Sequence, residues 1–217
     1  MNFDKSKIDY TLYLCTDREL MSCKTIEESV EQGIKGGCSI VQLREKDCSS
    51  REFFELALNV KKITQKYNVP LIINDRVDIA LLAKADGVHL GQSDLPCSEV
   101  RKLAGDNFII GVSAATTEEA VKAQSDGADY LGIGAMYQTS TKTDTRPVTL
   151  EGLREICSAV NIPIVAIGGI NKNTIPDFLG MDINGFAVIS AIVSKENITQ
   201  AAAEIRELIM QTLPKSK

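Results

Sequence analysis

Short apolar runs recur along the chain, and most of them are continuously hydrophobic. Such runs are typical of strands buried on both faces, as in a parallel sheet. We predict eight strands, at residues 10–15, 39–41, 70–74, 87–90, 108–113, 130–134, 164–167 and 185–189.

Amphipathic segments alternate with these runs. Capping boxes at Thr25, Ser49 and Thr116 predict three helix starts, and the apolar residues after Ser49 fall on one helical face. Further helices are predicted over residues 77–84, from about 96 to 103, after Thr149, as a short helix after Asn173, and over about 199–212. Residues 135–148 form a long polar stretch without helical periodicity, and loops of this kind usually carry function.

Eight strands, each followed by a helix, a loop or both, predict one (β/α)8 TIM barrel domain over residues 1–217. The main alternative is an open, doubly wound sheet. That fold requires a glycine-rich turn after the first strand, and Thr16-Asp17-Arg18 stands there instead. The pattern favours the barrel, whose active sites lie at the carboxyl ends of the strands.

Composition narrows the class of protein further. The net charge is -5 and no lysine- or arginine-rich face stands out, so we expect no nucleic-acid partner. The six cysteines are scattered without a CxxC pair, which argues against a disulfide scaffold or a zinc site. The start lacks the apolar core of a signal peptide, and no apolar run reaches the length of a membrane span. We therefore expect a cytoplasmic protein that does not bind membranes.

The segment Gln42-Leu43-Arg44-Glu45-Lys46 closes the second predicted strand. Side chains alternate along a strand, so Gln42, Arg44 and Lys46 are predicted to point to one side. One amide and two cations suit an anionic ligand that carries a flat, hydrogen-bonding ring. The alternative is a solvated strand end on which Glu45 pairs with a neighbour.

Two carboxylates follow neighbouring predicted strands, Asp75 after the third and Asp94 after the fourth. Facing each other beside Arg44 and Lys142, they suit acid–base chemistry or a magnesium ion, which takes one or two carboxylates and then phosphate oxygens. The alternative is that Asp75 pairs with Arg76 and Asp94 caps the next helix.

A second anion site is predicted where Gly168-Gly169 and Ile189-Ser190 end the last two strands. Backbone N–H groups at such turns bind phosphate in these barrels, although a glycine pair can instead mark a tight turn. Two phosphorylated substrates would explain both sites. His89, the single histidine, is expected to be structural, and the chemistry is expected to need no strong general base.

Motifs in the order of the chain resemble the thiamine phosphate synthase family over nearly its whole length. They are Gln42-Leu43-Arg44-Glu45-Lys46, Asn74-Asp75, Gly87-Val88-His89-Leu90-Gly91-Gln92-Ser93-Asp94, Gly111-Val112-Ser113, Thr139-Ser140-Thr141-Lys142, Ala166-Ile167-Gly168-Gly169-Ile170 and Val188-Ile189-Ser190-Ala191. Each motif is weak alone, but the seven in this order are specific.

The resemblance implies a transferase that joins hydroxymethylpyrimidine diphosphate to hydroxyethylthiazole phosphate, giving thiamine monophosphate and pyrophosphate. It implies a magnesium ion on Asp75 and Asp94, with Arg44, Lys46 and Lys142 as catalytic groups on the diphosphate. The pyrimidine diphosphate pocket is implied to contain Gln42, Leu43, Arg44, Glu45, Lys46, Asn74, Ser113 and Lys142. The thiazole phosphate is implied to contact Thr139, Ser140, Thr141, Gly169, Ile189 and Ser190.

Two positions depart from the family's usual pattern: Gln138 replaces a common proline and Ala115 a common histidine. Gln138 bears on the rigidity of the loop that carries Lys142, which we expect to close over the diphosphate. Two rival functions remain at this stage: a thiazole tautomerase, and a non-catalytic protein that senses thiamine precursors or sugar phosphates. The sequence leaves open whether the chain forms a homo-oligomer.

Overall fold

The computed structural model describes residues 4–138 and 146–213. Within this part of the chain, eight parallel strands close into a barrel in chain order. They are β1 (Leu12–Cys15), β2 (Ile40–Leu43), β3 (Leu71–Asn74), β4 (Gly87–Leu90), β5 (Ile109–Ala114), β6 (Tyr130–Ile133), β7 (Ile164–Ile167) and β8 (Gly185–Val188). Leu12 of β1 pairs with Phe186 of β8, which closes the ring. The predicted TIM barrel is confirmed, and the open sheet is excluded.

Helices cover the outside of the barrel. They are α1 (Ile26–Lys35), α2 (Ser50–Lys66), α3 (Val77–Leu82), α4 (Cys97–Ala104), α5 (Thr117–Ser125), α6 (Leu150–Ala159), α7 (Ser190–Val193) and α8 (Ile198–Thr212). The segments Lys5–Lys7 and Ile175–Phe178 are 3-10 turns. Among the described residues, no helix combines the length and the apolar character needed to cross a lipid bilayer.

The predicted helix starts are confirmed at their caps. Thr25, Ser49 and Thr116 each accept a hydrogen bond from the backbone N–H three residues on. The reciprocal bond of a full capping box forms only at Ser49, among the caps described. At Thr116, the glutamate three residues on, Glu119, instead accepts from the N–H of Ala115, one residue before the cap.

Several elements differ from the sequence prediction, three of them among the helices. Helix α3 ends at Leu82, two residues early. The segment after Asn173 is a 3-10 turn rather than an α-helix, with Pro176 at its start. Helix α7 was not predicted, because four residues are too few to show a helical period.

Alternating strand positions create two cores. Residues that point outward pack under the helices, as Leu12, Leu14 and Leu43 do. Residues that point inward fill the lower barrel: Tyr10, Tyr13, Cys15, Ile40, Ile72, Ile109, Tyr130, Val165 and Ala187. Gln42, Asn74 and His89 line the cavity above this inner core. The barrel is therefore solid at its base and polar at its upper end.

A repeated clasp links the strands at their amino ends. The residue just before each even-numbered strand accepts, through its side chain, a backbone N–H near the start of the preceding strand. The four pairs are Ser39 with Leu12 (3.3 Å), Asp86 with Leu71 (2.8 Å), Asp129 with Ile110 (2.8 Å) and Asn184 with Ile164 (2.9 Å). In each pair the backbone carbonyl of the second residue accepts the N–H of the first. These clasps satisfy strand ends that would otherwise leave buried N–H groups unpaired.

Candidate active site

A cavity of about 450 Å³ opens at the carboxyl ends of the strands. Its wall is built by loops and strand ends from all around the barrel. The predicted site residues that line it are Gln42, Arg44, Lys46, Asn74, Asp75, Asp94, Ser113, Gly169, Ile189 and Ser190. The structure therefore brings both predicted anion sites into one cavity.

Two predicted site residues do not line this cavity. Leu43 points outward from β2 and is fully buried among the core residues under the helices, because it has the opposite strand parity to Gln42. The carboxylate of Glu45 is held by Arg18, whose Nε donates to it over 2.9 Å. The pairing of Glu45 that the alternative expected is confirmed, but the side chain is 3% exposed rather than solvated. The assignments of Leu43 and Glu45 as cavity contacts are corrected. Thr139, Ser140, Thr141 and Lys142 lie outside the described residues.

The three same-parity residues of the second strand end do converge. Gln42 Nε2 donates to the buried hydroxyl of Tyr13 over 2.9 Å. Arg44 Nη1 lies 3.8 Å from Asp17 Oδ2, and the Lys46 ammonium lies 2.6 Å from Asp75 Oδ2. One amide and two cations thus face the cavity together, as predicted.

Asp75 and Asp94 also face each other, close enough for each side chain to shift the pKa of the other. Asp75 adopts a left-handed backbone conformation with a φ of 62°, which is uncommon outside glycine. Its N–H donates to the carbonyl of His89 over 2.9 Å, so the strained residue is anchored to β4. Asp94 accepts the N–H of Gly91 over 2.6 Å. These bonds hold the two carboxylates at the cavity wall.

Their pKa values move in opposite directions. Burial opposes ionisation of Asp75, but the Lys46 ammonium and the hydrogen bond from Asp94 outweigh it, so the pKa of Asp75 is lowered. Burial raises the pKa of Asp94; the Gly91 N–H opposes this rise, and the neighbouring Asp75 reinforces it. Asp75 is therefore the carboxyl of this pair that ionises more readily.

The structural alternatives for these aspartates are wrong. Arg76 pairs with Asp78 at 2.6 Å rather than with Asp75. Helix α4 begins after Pro96 and receives no side-chain cap, so Asp94 does not cap it. Within residues 4–138 and 146–213, no cluster of three or more histidine, cysteine or acidic side chains could hold a metal. A cation at Asp75 and Asp94 would fit magnesium, which often binds two carboxylates and completes its shell with substrate oxygens and water.

The glycine turn after β7 lies across the barrel from the end of β3, which Asp75 follows. Gly168 and Gly169 have φ values of 99° and 66°. A Cβ on Gly168 would lie 2.6 Å from the Cβ of Ala135, so the turn has no room for a side chain. Ser190 begins α7 beside this turn and also lines the cavity. The absence of side chains at these two positions lets the turn pack closely against Ala135 and Tyr137 at the cavity wall.

Several cavity residues were not predicted from the sequence. Tyr13, Tyr130, Gln92, Ser93 and Arg146 line the wall or floor. The two tyrosines occupy inward strand positions, so strand alternation could have found them. Arg146, which is ion-paired with Glu119 at 2.7 Å, belongs to a stretch of sequence with no pattern that predicts its place.

Comparison with known proteins agrees with this geometry. Residues 12–192 match the family model described as thiamine monophosphate synthase. A thiamine-phosphate synthase of Clostridium botulinum (strain Eklund 17B / Type B) is 61% identical over 203 residues, covering 94% of this chain and 95% of that protein. One from Ruminiclostridium cellulolyticum is 57% identical and covers 95% of this chain and 98% of its own.

Solved structures give the same result. A thiamine phosphate pyrophosphorylase from Pyrococcus furiosus superposes with a TM-score of 0.87 at 40% identity, covering 95% of this chain and 98% of that chain. An N-acetylmannosamine-6-phosphate 2-epimerase from Clostridium perfringens, at 16% identity and a TM-score of 0.67, shares the fold alone. By the extent and identity of these matches, the chain belongs to the thiamine monophosphate synthase family and is a transferase.

Proposed function

We propose that this enzyme joins hydroxymethylpyrimidine diphosphate to hydroxyethylthiazole phosphate, giving thiamine monophosphate and pyrophosphate. One observation carries the proposal: a single cavity holds two facing carboxylates beside Lys46 and Arg44, with a glycine turn and the start of α7 on its other side. Two anionic groups can therefore be held at once, as a reaction between two phosphorylated substrates requires.

The chain's own residues would act mainly by positioning and by charge. Arg44 and Lys46 would bind the diphosphate, and their cations would stabilise the negative charge that grows on it as the carbon–oxygen bond breaks. The electron pair of that bond leaves with pyrophosphate, and the electron-rich pyrimidine stabilises the methylene cation. The thiazole nitrogen then donates its lone pair to form the carbon–nitrogen bond. No proton is removed from the nucleophile, so no general base is required.

Asp75 and Asp94 would hold magnesium, which when bound supplies further neutralisation of the departing pyrophosphate. Lys46 forms an ion pair with Asp75 and lines the same cavity, so the proposed metal site lies beside the cations proposed to bind the diphosphate. The thiazole phosphate would lie against Gly169, Ile189 and Ser190. Lys142 and the adjacent Thr139, Ser140 and Thr141 remain predicted contacts from the resemblance.

The direct test is a coupled assay of pyrophosphate release, with both substrates and with each alone, in the presence and absence of magnesium. We expect release only when both substrates and magnesium are present. Release from the pyrimidine diphosphate alone would identify a hydrolase, and binding without release would support the sensor protein. Both results would contradict the proposed reaction.

Arg146 is expected to add to substrate binding, because it lines the cavity and its side chain, although ion-paired with Glu119, is 58% exposed. Arg146→Ala should raise the KM of at least one substrate about tenfold, the loss of roughly one charge-assisted hydrogen bond, with little change in kcat. Steady-state kinetics with each substrate varied in turn would measure this. Arg154→Ala, on the exposed face of α6, is the matched control and should leave both KM values unchanged.

A further inference from the structure

A chain of hydrogen bonds crosses the floor of the cavity. Gln42 Nε2 donates to the Tyr13 hydroxyl over 2.9 Å, and the hydroxyls of Tyr13 and Tyr130 lie 2.7 Å apart. The Tyr130 hydroxyl oxygen lies 2.9 Å from His89 Nδ1, and His89 Nε2 lies 2.9 Å from Ser113 Oγ. The five side chains come from β2, β1, β6, β4 and β5, so the chain spans most of the barrel.

The protons in this chain can be assigned by requiring every buried hydroxyl to have an acceptor. The amide nitrogen of Gln42 can only donate, so the Tyr13 hydroxyl proton must go to Tyr130. Tyr130 is fully buried and must pass its own proton on to His89 Nδ1. With Nδ1 as acceptor, the neutral ring carries its proton on Nε2 and donates it to Ser113. The Ser113 hydroxyl proton is then not used by His89 and is available to a group in the cavity that Ser113 lines.

We propose that this hydrogen-bond chain has a fixed donor-to-acceptor direction, set by Gln42. This direction holds His89 in its Nε2–H form and makes Ser113 a hydrogen-bond donor to the ligand. His89 is thus a positioning residue that acts through Ser113. A donor at this place selects an acceptor on the ligand, either a phosphate oxygen or an unprotonated ring nitrogen, and disfavours an amino group. The identity of that ligand rests on the proposed function; the polarity of the chain does not.

Tight packing around the Tyr130 ring indicates that the hydrogen-bond chain keeps one arrangement. The Tyr130 ring lies against Gly111, where an added Cβ would fall 2.1 Å from the ring. Tyr10 and Tyr13 pack on the same ring, with centroids 5.2 and 5.8 Å away. The hydroxyl of Tyr130 therefore has little freedom to seek another partner.

His89 is the only histidine in the sequence, so histidine labelled with nitrogen-15 gives one pair of ring resonances. The experiment measures these shifts in the ligand-free enzyme at alkaline pH, where an ordinary imidazole, with a pKa of about 6.5, is neutral. We expect the shifts of the Nε2–H form, with Nδ1 unprotonated. A spectrum of the Nδ1–H form, or of a rapid mixture of both, would overturn the proposal.

Variants locate the source of the polarity. Tyr130→Phe removes the donor to Nδ1 and should replace the single form by a mixture, whereas Tyr10→Phe, which changes a ring packed on Tyr130, should leave the spectrum unchanged. Gln42→Glu, studied at a pH where the new carboxylate is ionised, can only accept from Tyr13. The Gln42→Glu variant should reverse the direction of the hydrogen-bond chain and convert the His89 ring to its Nδ1–H form. An unchanged Nε2–H spectrum in Gln42→Glu would mean that Gln42 does not set the polarity.

The binding part of the proposal has its own readout. Ser113→Ala should keep the Nε2–H spectrum and weaken binding of pyrimidine diphosphate about tenfold, as measured by calorimetry, because one hydrogen bond to a charged or polar ligand is lost. Unchanged affinity would contradict the donor role. If neither the native enzyme nor any variant releases pyrophosphate, the proposed function is wrong. The nitrogen-15 spectra still test the direction of the hydrogen-bond chain.

Discussion

Asp94→Asn is expected to lower pyrophosphate release at least ~100-fold while leaving the folded protein no less stable in magnesium-free buffer near neutral pH. The loss of rate follows if Asp94 and Asp75 hold a divalent cation that neutralises the departing group, an effect of several kcal/mol at roughly tenfold in rate per 1.4 kcal/mol. Stability should hold or rise, because burial and the neighbouring Asp75 disfavour ionisation of Asp94, a cost that asparagine does not carry.

The sign of the stability change depends on pH. The pKa of Asp94 is raised in the folded chain by burial, against the Gly91 bond and with the help of Asp75. A carboxyl with a raised folded-state pKa stabilises the fold only while it is protonated, and that contribution is lost as the pH rises through the folded pKa. The variant's advantage should therefore be present near neutral pH and should shrink as the solution is acidified. Asparagine keeps an oxygen to accept from Gly91.

Thermal unfolding with magnesium and pyrophosphate separates the two effects. We expect the native chain to gain stability when both are added, by ~2.7 kcal/mol at a ligand concentration about 100 times Kd, and Asp94→Asn to gain little. Asp78→Asn is a suitable control, since Asp78 is an exposed carboxylate outside the cavity that pairs with Arg76. If Asp94→Asn responded to magnesium like the native chain, the metal site would have to lie elsewhere.

Lys61→Met is expected to lower the free energy of unfolding by about 3–5 kcal/mol, or roughly 6–20 °C in Tm. The ammonium of Lys61 lies 2.5 Å from Asp86, and both side chains are more than nine-tenths buried. Removing the lysine leaves a buried carboxylate with the N–H of Leu71 as its remaining described partner. An unpaired charge in that position is far more costly than the loss of an exposed ion pair.

Chemical denaturation of matched variants tests this expectation. Lys62→Met changes the neighbouring exposed lysine on the same helix and should shift stability by less than about 0.5 kcal/mol. Adding Asp86→Asn to Lys61→Met removes the orphaned charge while keeping an acceptor for Leu71, and should recover most of the loss. Equal effects of Lys61→Met and Lys62→Met would show that the buried pair contributes nothing to stability.

The hydrophobic pattern was sufficient for the barrel because its signals are local. Continuous apolar runs and the caps at Thr25, Ser49 and Thr116 lie in single stretches of sequence, and strand parity correctly grouped Gln42 with Arg44 and Lys46. The resemblance nevertheless placed Leu43 in the pocket, and that assignment was wrong because Leu43 has the opposite parity to Gln42 and is buried under the helices.

Relations through space could not be predicted in the same way. The partner of Asp75 is Lys46, 29 residues away, rather than the adjacent Arg76. The hydroxyls of Tyr13 and Tyr130 meet across 117 residues. Sequence alone shows that such side chains exist and which way they point, but the barrel's curvature decides which of them touch.

The clasps at the amino ends of the strands bear on how the barrel folds. They join residues 27, 15, 19 and 20 positions apart, each within one odd–even strand pair. Closing the ring instead joins Leu12 to Phe186, and the loop-closure entropy for that separation exceeds that of a 20-residue loop by about 2 kcal/mol. We therefore expect four strand pairs to form as early, locally stabilised units, and the seam between β1 and β8 to be the last part of the barrel to acquire native contacts.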